Sequence, residues 1–393
     1  MVILKLAFRN ITHAGLRTWL NVFILSFAFV LIIWVQGLYE GMQRQVIRDM
    51  QAIEVGGGQF WQRNYDPYDP LTLDDAHAAL SSELQHLVQN GNATLVLIVP
   101  AAIFPEGRVQ SVILRGIDPN QKIVSLPSQE LTNKVSPGVI PAVIGSRMAK
   151  SANLAKDEIV TVRWRDANGV FDAAEIQIVA IFNTHIQTVD VSQIWVPLQR
   201  LQEMVHMPGE ATYVILKQGL NNIPPGSPDW IYRDYDFLFA DINNIVKSKR
   251  AGSSIFFIIL MAMALLAVFD TQVLAIFRRR KEMGTLMALG MTRRWVISLF
   301  TLEGSLQGLL AILVGAVYGI PFLAFQTKVG ISMPQAVEQG GFNLGATLYP
   351  VYSFKLFLLT TLFLFISVVI VSFLPTRRIS KLKPTDALRG KTT

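Results

Sequence analysis

Cysteine is absent from the 393 residues, which excludes disulfides, thiolate metal sites and lipid attachment at an N-terminal cysteine. Histidine is scarce. His13, His77, His86, His185 and His206 are scattered, with no His-Glu-x-x-His and no pair at metal-ligand spacing. His77 and His86 fall on one predicted helix, but nine residues apart. Charge is thin too, at 16% of residues against 51% hydrophobic, outside the usual balance of a soluble domain. No catalytic cluster and no metal site can be assembled from these residues, so an enzyme ranks last among the function classes. Gly390-Lys391-Thr392 looks like the end of a phosphate-binding loop, yet the glycine required five residues earlier is Thr385. The chain is expected to hydrolyse no ATP by itself and to hold no cofactor.

What the chain has instead is four long uncharged stretches, 18–39, 251–269, 304–327 and 356–376. Each is near or above the roughly 18–20 residues a helix needs to cross about 30 Å of hydrocarbon. Between the first two lies a polar block, 40–250, with 18 Lys+Arg against 23 Asp+Glu. The net charge of +7 is not spread as a nucleic-acid surface; it gathers beside the apolar stretches. Lys5, Arg9 and Arg17 precede the first, Arg278, Arg279, Arg280, Lys281, Arg293 and Arg294 lie between the second and third, and six more cations follow residue 376. By the positive-inside rule both termini and the 278–294 loop are expected in the cytoplasm, and the 40–250 block outside it. Trp19 and Trp295 at the inner edges, and Tyr39, Tyr349 and Tyr352 at the outer ones, suit membrane interfaces. Trp34 falls inside the first stretch and is expected to pack. The first stretch has no small-residue cleavage site, so it reads as an uncleaved anchor.

The fold class expected is a membrane protein with four transmembrane helices and a large α+β extracytoplasmic, periplasmic-core-like domain between the first and second spans. Its divisions are a surface amphipathic helix (1–17), a first span (18–39), a stalk helix (40–56), the α+β domain (57–236), a second stalk (237–252), a second span (253–277), a cytoplasmic coupling segment (278–294), a third span (295–323), an outer loop (324–352), a fourth span (353–376) and a cytoplasmic tail (377–393). Met42, Val46, Met50 and Ile53 recur at helical spacing until Gly56-Gly57-Gly58, and Leu238, Ile242, Ile245 and Val246 form a matching stripe in the second stalk. Within the domain the pattern predicts a helix at 72–89, short helices at 146–154 and 197–206, and strands at 93–99, 109–115, 158–165, 174–182, 193–197 and 211–217. Asp166-Ala167-Asn168-Gly169 reads as a tight hairpin turn, and 219–230, with Pro224, Pro225 and Pro228, as an exposed loop. Two acids, Asp270 and Glu303, fall at bilayer depth. Each is either a functional group or a hydrogen-bonding partner of a neighbouring helix or interface.

From 277 to 319 the chain reads FRRRKEMGTLMALGMTRRWVISLFTLEGSLQGLLAILVGAVYG. This resembles permeases of the MacB, LolC/LolE and FtsX type, the mechanotransmission ABC transporters. The matching positions are Arg279, Glu282, Gly284, Ala288, Leu289, Gly290, Glu303 and Gly304. Leu6-Ala7-Phe8-Arg9-Asn10, Arg115-Gly116-Ile117-Asp118-Pro119, Val143-Ile144-Gly145 and the Lys383-Pro384…Ala387-Leu388-Arg389 ending extend the resemblance along the chain. It implies an inner-membrane, multi-pass permease subunit that pairs with a second permease, as a homo- or heterodimer. A separate ABC ATPase subunit would bind ATP and magnesium. It also implies that 280–294 is the coupling helix. Arg279, Glu282, Met283, Gly284, Leu286, Met287, Leu289 and Gly290 are then the candidate ATPase-coupling residues, because an apolar stripe flanked by charge wants a protein groove. The alternative is a helix resting on the membrane surface.

The cargo implied is a lipoprotein, lipid or other amphiphile. LolC-like subunits carry a long hairpin where this chain has the short 166–169 turn, so either a LolE-like partner or an exporter of another amphiphile is implied, with a periplasmic carrier left open. The competing reading is an FtsX-like transmitter that activates a cell-wall hydrolase without transport.

Overall fold

The computed structural model describes residues 15–184, 190–332 and 347–377. The expected surface helix at 1–17, apart from its last residues, and the tail beyond 377 lie outside them. Four described helices are long and apolar enough to cross a membrane. They are α1 (Gly15–Met50), α6 (Ala240–Arg278), α8 (Arg293–Val329) and α9 (Phe354–Thr376). By contact the described residues divide into two compact units, one drawn from 15–42, 245–331 and 348–377, the other from 43–184, 190–244, 332 and 347.

In the first unit α1 is the central helix. Its Leu25, Phe29, Ile32 and Ile33 are buried in one cluster with Phe257, Met261 and Val268 of α6, Ala311 and Leu323 of α8, and Leu364 and Val368 of α9. Close approach is made possible by missing side chains on α8. A Cβ at Gly319 would lie 2.7 Å from Val30, and one at Gly308 3.0 Å from Val368. Such small-residue contacts are how helices associate where the solvent is itself apolar. Polar links add direction: Asn21 donates to Thr271 Oγ1 (2.8 Å) and to the Ala267 carbonyl (3.1 Å). Trp34 meets Phe322 at 6.3 Å between ring centroids, which is the packing reason its place inside an apolar stretch requires.

The second unit is α+β. Its strands are β1 (Gln59–Gln62), β2 (Ala78–Ala79), β3 (Ala93–Ile103), β4 (Gln110–Ile117), β5 (Ile140–Gly145), β6 (Ile159–Arg165), β7 (Phe171–Phe182), β8 (Gln193–Pro197), β9 (Glu210–Ala211), β10 (Tyr213–Leu216) and β11 (Trp230–Arg233). Nine of them form one mixed sheet in the order β11-β1-β10-β3-β4-β8-β5-β7-β6. The sheet then closes on itself, because the far end of the 11-residue β3 pairs with β6 through Ala101–Ile103. Six strands thus form a barrel without a free edge, and the first half of β3 carries β10, β1 and β11 as an extension. One core holds Leu97, Val112, Leu114, Ile140, Val162, Trp164, Ile178 and Val196. A second core gathers Val96, Ile98, Ile117, Val143, Trp195 and Tyr213. Alternate residues of β3 and β4 supply both, so these strands are buried on two faces and read as near-continuous apolar runs.

The predicted helix at 72–89 is not one helix. Asp69 caps a 3₁₀ turn, Pro70–Asp74, by accepting from the Leu71 amide; β2 follows; and Ser81 caps α2 (Ser82–Gln89) by accepting from the Leu84 amide. The pairing of Ala78 and Ala79 with Ala211 and Glu210 breaks the helical spacing there. Residues 219–230 end in strand rather than loop: Trp230 opens β11 and is buried, donating from its indole to the Ala79 carbonyl. Strands β1 and β5 do not stand out in the sequence. The first is four residues long after three glycines, and the second carries Pro141, an ordinary strand breaker.

Candidate coupling sites

Arg279 ends the run of α6 and precedes α7 (Arg280–Ala288); Gly290, at φ 92°, and the extended Thr292 then lead into α8. The arginine works as a fork. Its Nε donates to Glu282 Oε2 on α7 (2.7 Å) and its Nη1 to Glu303 Oε2 on α8 (2.8 Å). Its guanidinium also lies 4.8 Å from the centre of the Phe300 ring. Burial opposes the charge, but the two carboxylates outweigh it and raise the Arg279 pKa. Beneath the fork Ile276, Met283, Val296 and Phe300 form a buried knot, with Met287 and Met291 packed against it.

This arrangement divides the expected coupling residues. Met283 is fully buried, Gly284 is buried, and Met287 packs against the chain's own core. They do not form an outward stripe, because positions 283 and 287 share the face of α7 turned to Val296 and Phe300 of α8. Leu286 is half-buried, whereas Leu289 is 80% exposed and Glu282 keeps most of its side chain in the open. Glu303 and Asp270 separate as well. Glu303 is buried and held at the level of Arg279, while Asp270 stands nine residues, about 13 Å, further along α6, with an exposed carboxylate. Among the described residues no metal-binding group of acids and histidines occurs.

A second fork lies in the sheet unit. Arg115 on β4 is buried and donates from Nη1 to Glu54 Oε1 (2.9 Å) and to the Tyr213 hydroxyl (3.1 Å). Its guanidinium faces the rings of Trp195 (5.3 Å) and Tyr213 (5.9 Å). Burial disfavours this charge, but Tyr213 and Glu54 overcome that cost and leave the pKa raised. Tyr65 stacks on Tyr213 and is pushed up to about 12, chiefly by burial, with Arg115 opposing. Glu54 comes from Gln51–Val55, where the end of α1 widens into a π-helical turn, a form often found at functional positions. The turn is tied to its surroundings by several bonds. The Ser125 amide donates to the Ala52 carbonyl, Gln51 Nε2 to the Tyr235 hydroxyl, and that hydroxyl to the Gly56 carbonyl. A Cβ at Gly57 would stand 2.2 Å from the Lys217 carbonyl oxygen, so only glycine lets this backbone lie against β10.

In the sequence, Arg115 stands within the Arg115–Pro119 motif with no role attached to it. Its signal is a lone cation inside an apolar strand, Val112-Ile113-Leu114-Arg115-Gly116-Ile117. Gly145, in another of the motifs, is required because a Cβ there would fall 1.9 Å from the buried Asp190 carboxylate, which accepts from the Arg147 amide.

Residues 254–384 match the FtsX-like permease C-terminal family. Over 72% of its length the chain is 22% identical to the lipoprotein-releasing system transmembrane protein LolC of Neisseria meningitidis serogroup B, covering 74% of that protein. Residues 254–384 thus form an FtsX-like permease C-terminal region, and the chain is similar to MacB/LolC/FtsX-type permeases. The chain is also 27% identical, over 40% of its length, to an uncharacterized ABC transporter permease of Methanocaldococcus jannaschii, of which the match spans 38%. Among solved structures, the periplasmic region of MacB from Actinobacillus actinomycetemcomitans aligns with 51% of this chain and 99% of its own, at 11% identity and a TM-score of 0.33. The extracellular domain of YknZ from Gram-positive bacteria aligns with 42% and 84%, at 13% identity and a TM-score of 0.26.

Proposed function

We propose that this permease is the membrane subunit of an ABC transporter that converts ATP hydrolysis on a separate subunit into movement of its sheet unit, extracting or exporting lipoproteins, lipids or other amphiphiles. The observation that carries the reading is the Arg279 fork. It ties α7 to α8 through two carboxylates, so a force on α7 is passed to the spans rather than absorbed by a loose turn. The ATPase, with its ATP and magnesium, docks on the open edge of α7 at Glu282 and Leu289; Met283 and Met287 act from inside by holding the helix rigid. Both termini and this turn lie in the cytoplasm. Motion reaches the sheet unit through α1, which is helical from Gly15 to Met50, and enters the sheet at Glu54 and Arg115. The family match and the similarity to a lipoprotein-releasing relative support this assignment and the cargo class.

The test is the double variant Glu282→Lys, Leu289→Asp, purified from native membranes with whatever ATPase accompanies the wild type. Loss of a central apolar anchor and reversal of a charge should weaken ATPase retention by more than about tenfold. Membrane insertion should be unchanged, since both side chains point away from the core. Equal retention and equal ATP-dependent release of cargo would remove the proposal. Co-purification of a peptidoglycan hydrolase with no released cargo would instead favour a signalling role.

A further inference from the structure

Four tryptophans lie in the sheet unit, and three of them place the indole N–H on an acceptor. Trp61 donates to Gln59 Oε1 (2.6 Å), Trp164 to the Met204 carbonyl (3.1 Å) and Trp230 to the Ala79 carbonyl (3.0 Å). Trp195 is the exception. It is wholly enclosed, yet its Nε1 meets no acceptor among the described residues. Two more buried atoms share its condition: Arg115 Nε has no acceptor there, and Gln193 Oε1 has no donor. The register brings the three residues together. Strands β4 and β8 run parallel with Arg115 opposite Trp195 and Ile113 opposite Gln193, so Arg115, Trp195 and Gln193 stand in adjacent rows of one sheet face. Arg115 Cζ lies 5.3 Å from the centre of the Trp195 ring, a spacing that one water with bonds of about 2.9 Å can bridge. An enclosed donor or acceptor left unmatched carries its full desolvation penalty. Three such atoms in one place call for one shared partner.

We infer that a single water molecule is built into the sheet unit at the Arg115 fork. It accepts from Arg115 Nε and from Trp195 Nε1, and it donates one proton to Gln193 Oε1. Three hydrogen bonds are the usual complement of a buried water. The chemistry of the three atoms selects water over an ion. The guanidinium charge is already met by Glu54, so an anion here would be uncompensated, and it could not donate to Gln193. A cation would face two N–H donors. The water also gives Arg115 a bond that Glu54 does not share. Glu54 comes from the π-helical turn Gln51–Val55, so that turn can shift while Arg115 Nε and Trp195 Nε1 stay matched. If α1 carries force, as proposed above, the water holds the arginine in place at the end of that helix; the site itself needs no part of the transport reading.

Hydrogen exchange of β4 and β8 in the full chain measures the site. Trp195→Phe, Gln193→Leu and the two together are compared through the opening equilibrium constants of these strands. A shared water makes the second substitution less costly than the first. The double variant should therefore open roughly two- to twelvefold less than the product of the single effects, the worth of one hydrogen bond. The same cycle with Ile113→Val, at the position opposite Gln193, reads coupling through packing alone and should give the smaller value. A map of the wild-type chain at a resolution that shows ordered water should hold one density within hydrogen-bonding reach of all three atoms. The Gln193→Leu map should lack it. If Trp195→Phe does not fold, these two maps decide. Independent effects of the two substitutions, coupling no larger than that of Ile113→Val, or an empty site in the wild-type map would overturn the inference. So would stabilisation by chloride over sulfate at equal ionic strength, which would mean a bound anion. None of these readouts involves ATPase retention or cargo, so failure here is distinguishable from failure of the Glu282 and Leu289 test.

Discussion

Two arginines, one in each unit, solve the same geometric problem differently. Arg279 sits between consecutive helices, keeps 27% of its side chain exposed, and divides its donors between two carboxylates. Arg115 is buried within the sheet, has one carboxylate, and is otherwise enclosed by aromatic rings. A guanidinium suits both places because its fixed fork joins two elements at once and stays charged when desolvated. The difference is in what removal leaves behind. Without Arg279, the open Glu282 turns to water and the buried Glu303 loses a charged partner. Without Arg115 a carboxylate is left against a packed core, so the sheet unit depends on its arginine for stability and the turn depends on its arginine for stiffness.

The sharpest way to break that comparison is Arg115→Met. It should destabilise the sheet unit by about 3–5 kcal/mol, the usual effect of leaving one member of a buried pair alone, read as a lowered unfolding midpoint in denaturant. Adding Glu54→Leu should recover more than half of the loss, since two apolar groups can replace a buried pair. If the double variant is no better than the single one, Glu54 is not what Arg115 compensates.

Much of this was open to inspection in one dimension. The four long helices follow from uninterrupted apolar length, and the hairpin between β6 and β7 from Asp166–Gly169, where Asp166 Oδ1 accepts from the Asn168 and Val170 amides. The barrel was not legible. Its closure rests on three residue pairs between β3 and β6 and on parallel pairing of β4 with β8 and β5 with β7, none of which leaves a local pattern. The turn between α6 and α8 shows the same limit. The apolar content of 283–289 is plain, but which of its residues look inward depends on Val296 and Phe300 from the next helix. The partner of Arg115, 61 residues earlier, could not be chosen from composition.

A smaller effect is expected at the turn. Arg279→Ala should cost about 1–3 kcal/mol, because Glu282 keeps access to water while Glu303 is buried, and it should uncouple ATP turnover from cargo movement. Arg279→Lys should restore most of the stability and little of the coupling, as an ammonium cannot present two fixed donors. Equal coupling in the Arg279→Ala variant and the wild type, measured as cargo released per ATP, would reduce the fork to a surface ion pair.

The smallest effect separates the two sites by pH. Tyr65, raised to about 12, holds its proton in the folded sheet unit at pH values where an unfolded tyrosine, near 10, has lost its own. Its contribution is therefore complete below pH 10 and declines as pH rises from 10 to 12, because the unfolded chain gains by ionising first. Tyr213 is raised in the same direction by burial and deepens the same limb. Tyr65→Phe should flatten the alkaline decline of sheet-unit stability on the order of 1 kcal/mol, followed by denaturant midpoints at pH 9, 10 and 11 (roughly the window set by the two ionisations). Among the described residues the ring neighbour of the Arg279 fork is Phe300 rather than a tyrosine, so hydrogen exchange of α7 should be free of this alkaline limb once corrected for its intrinsic rate. A matching decline in α7 would mean that the two forks open together rather than separately.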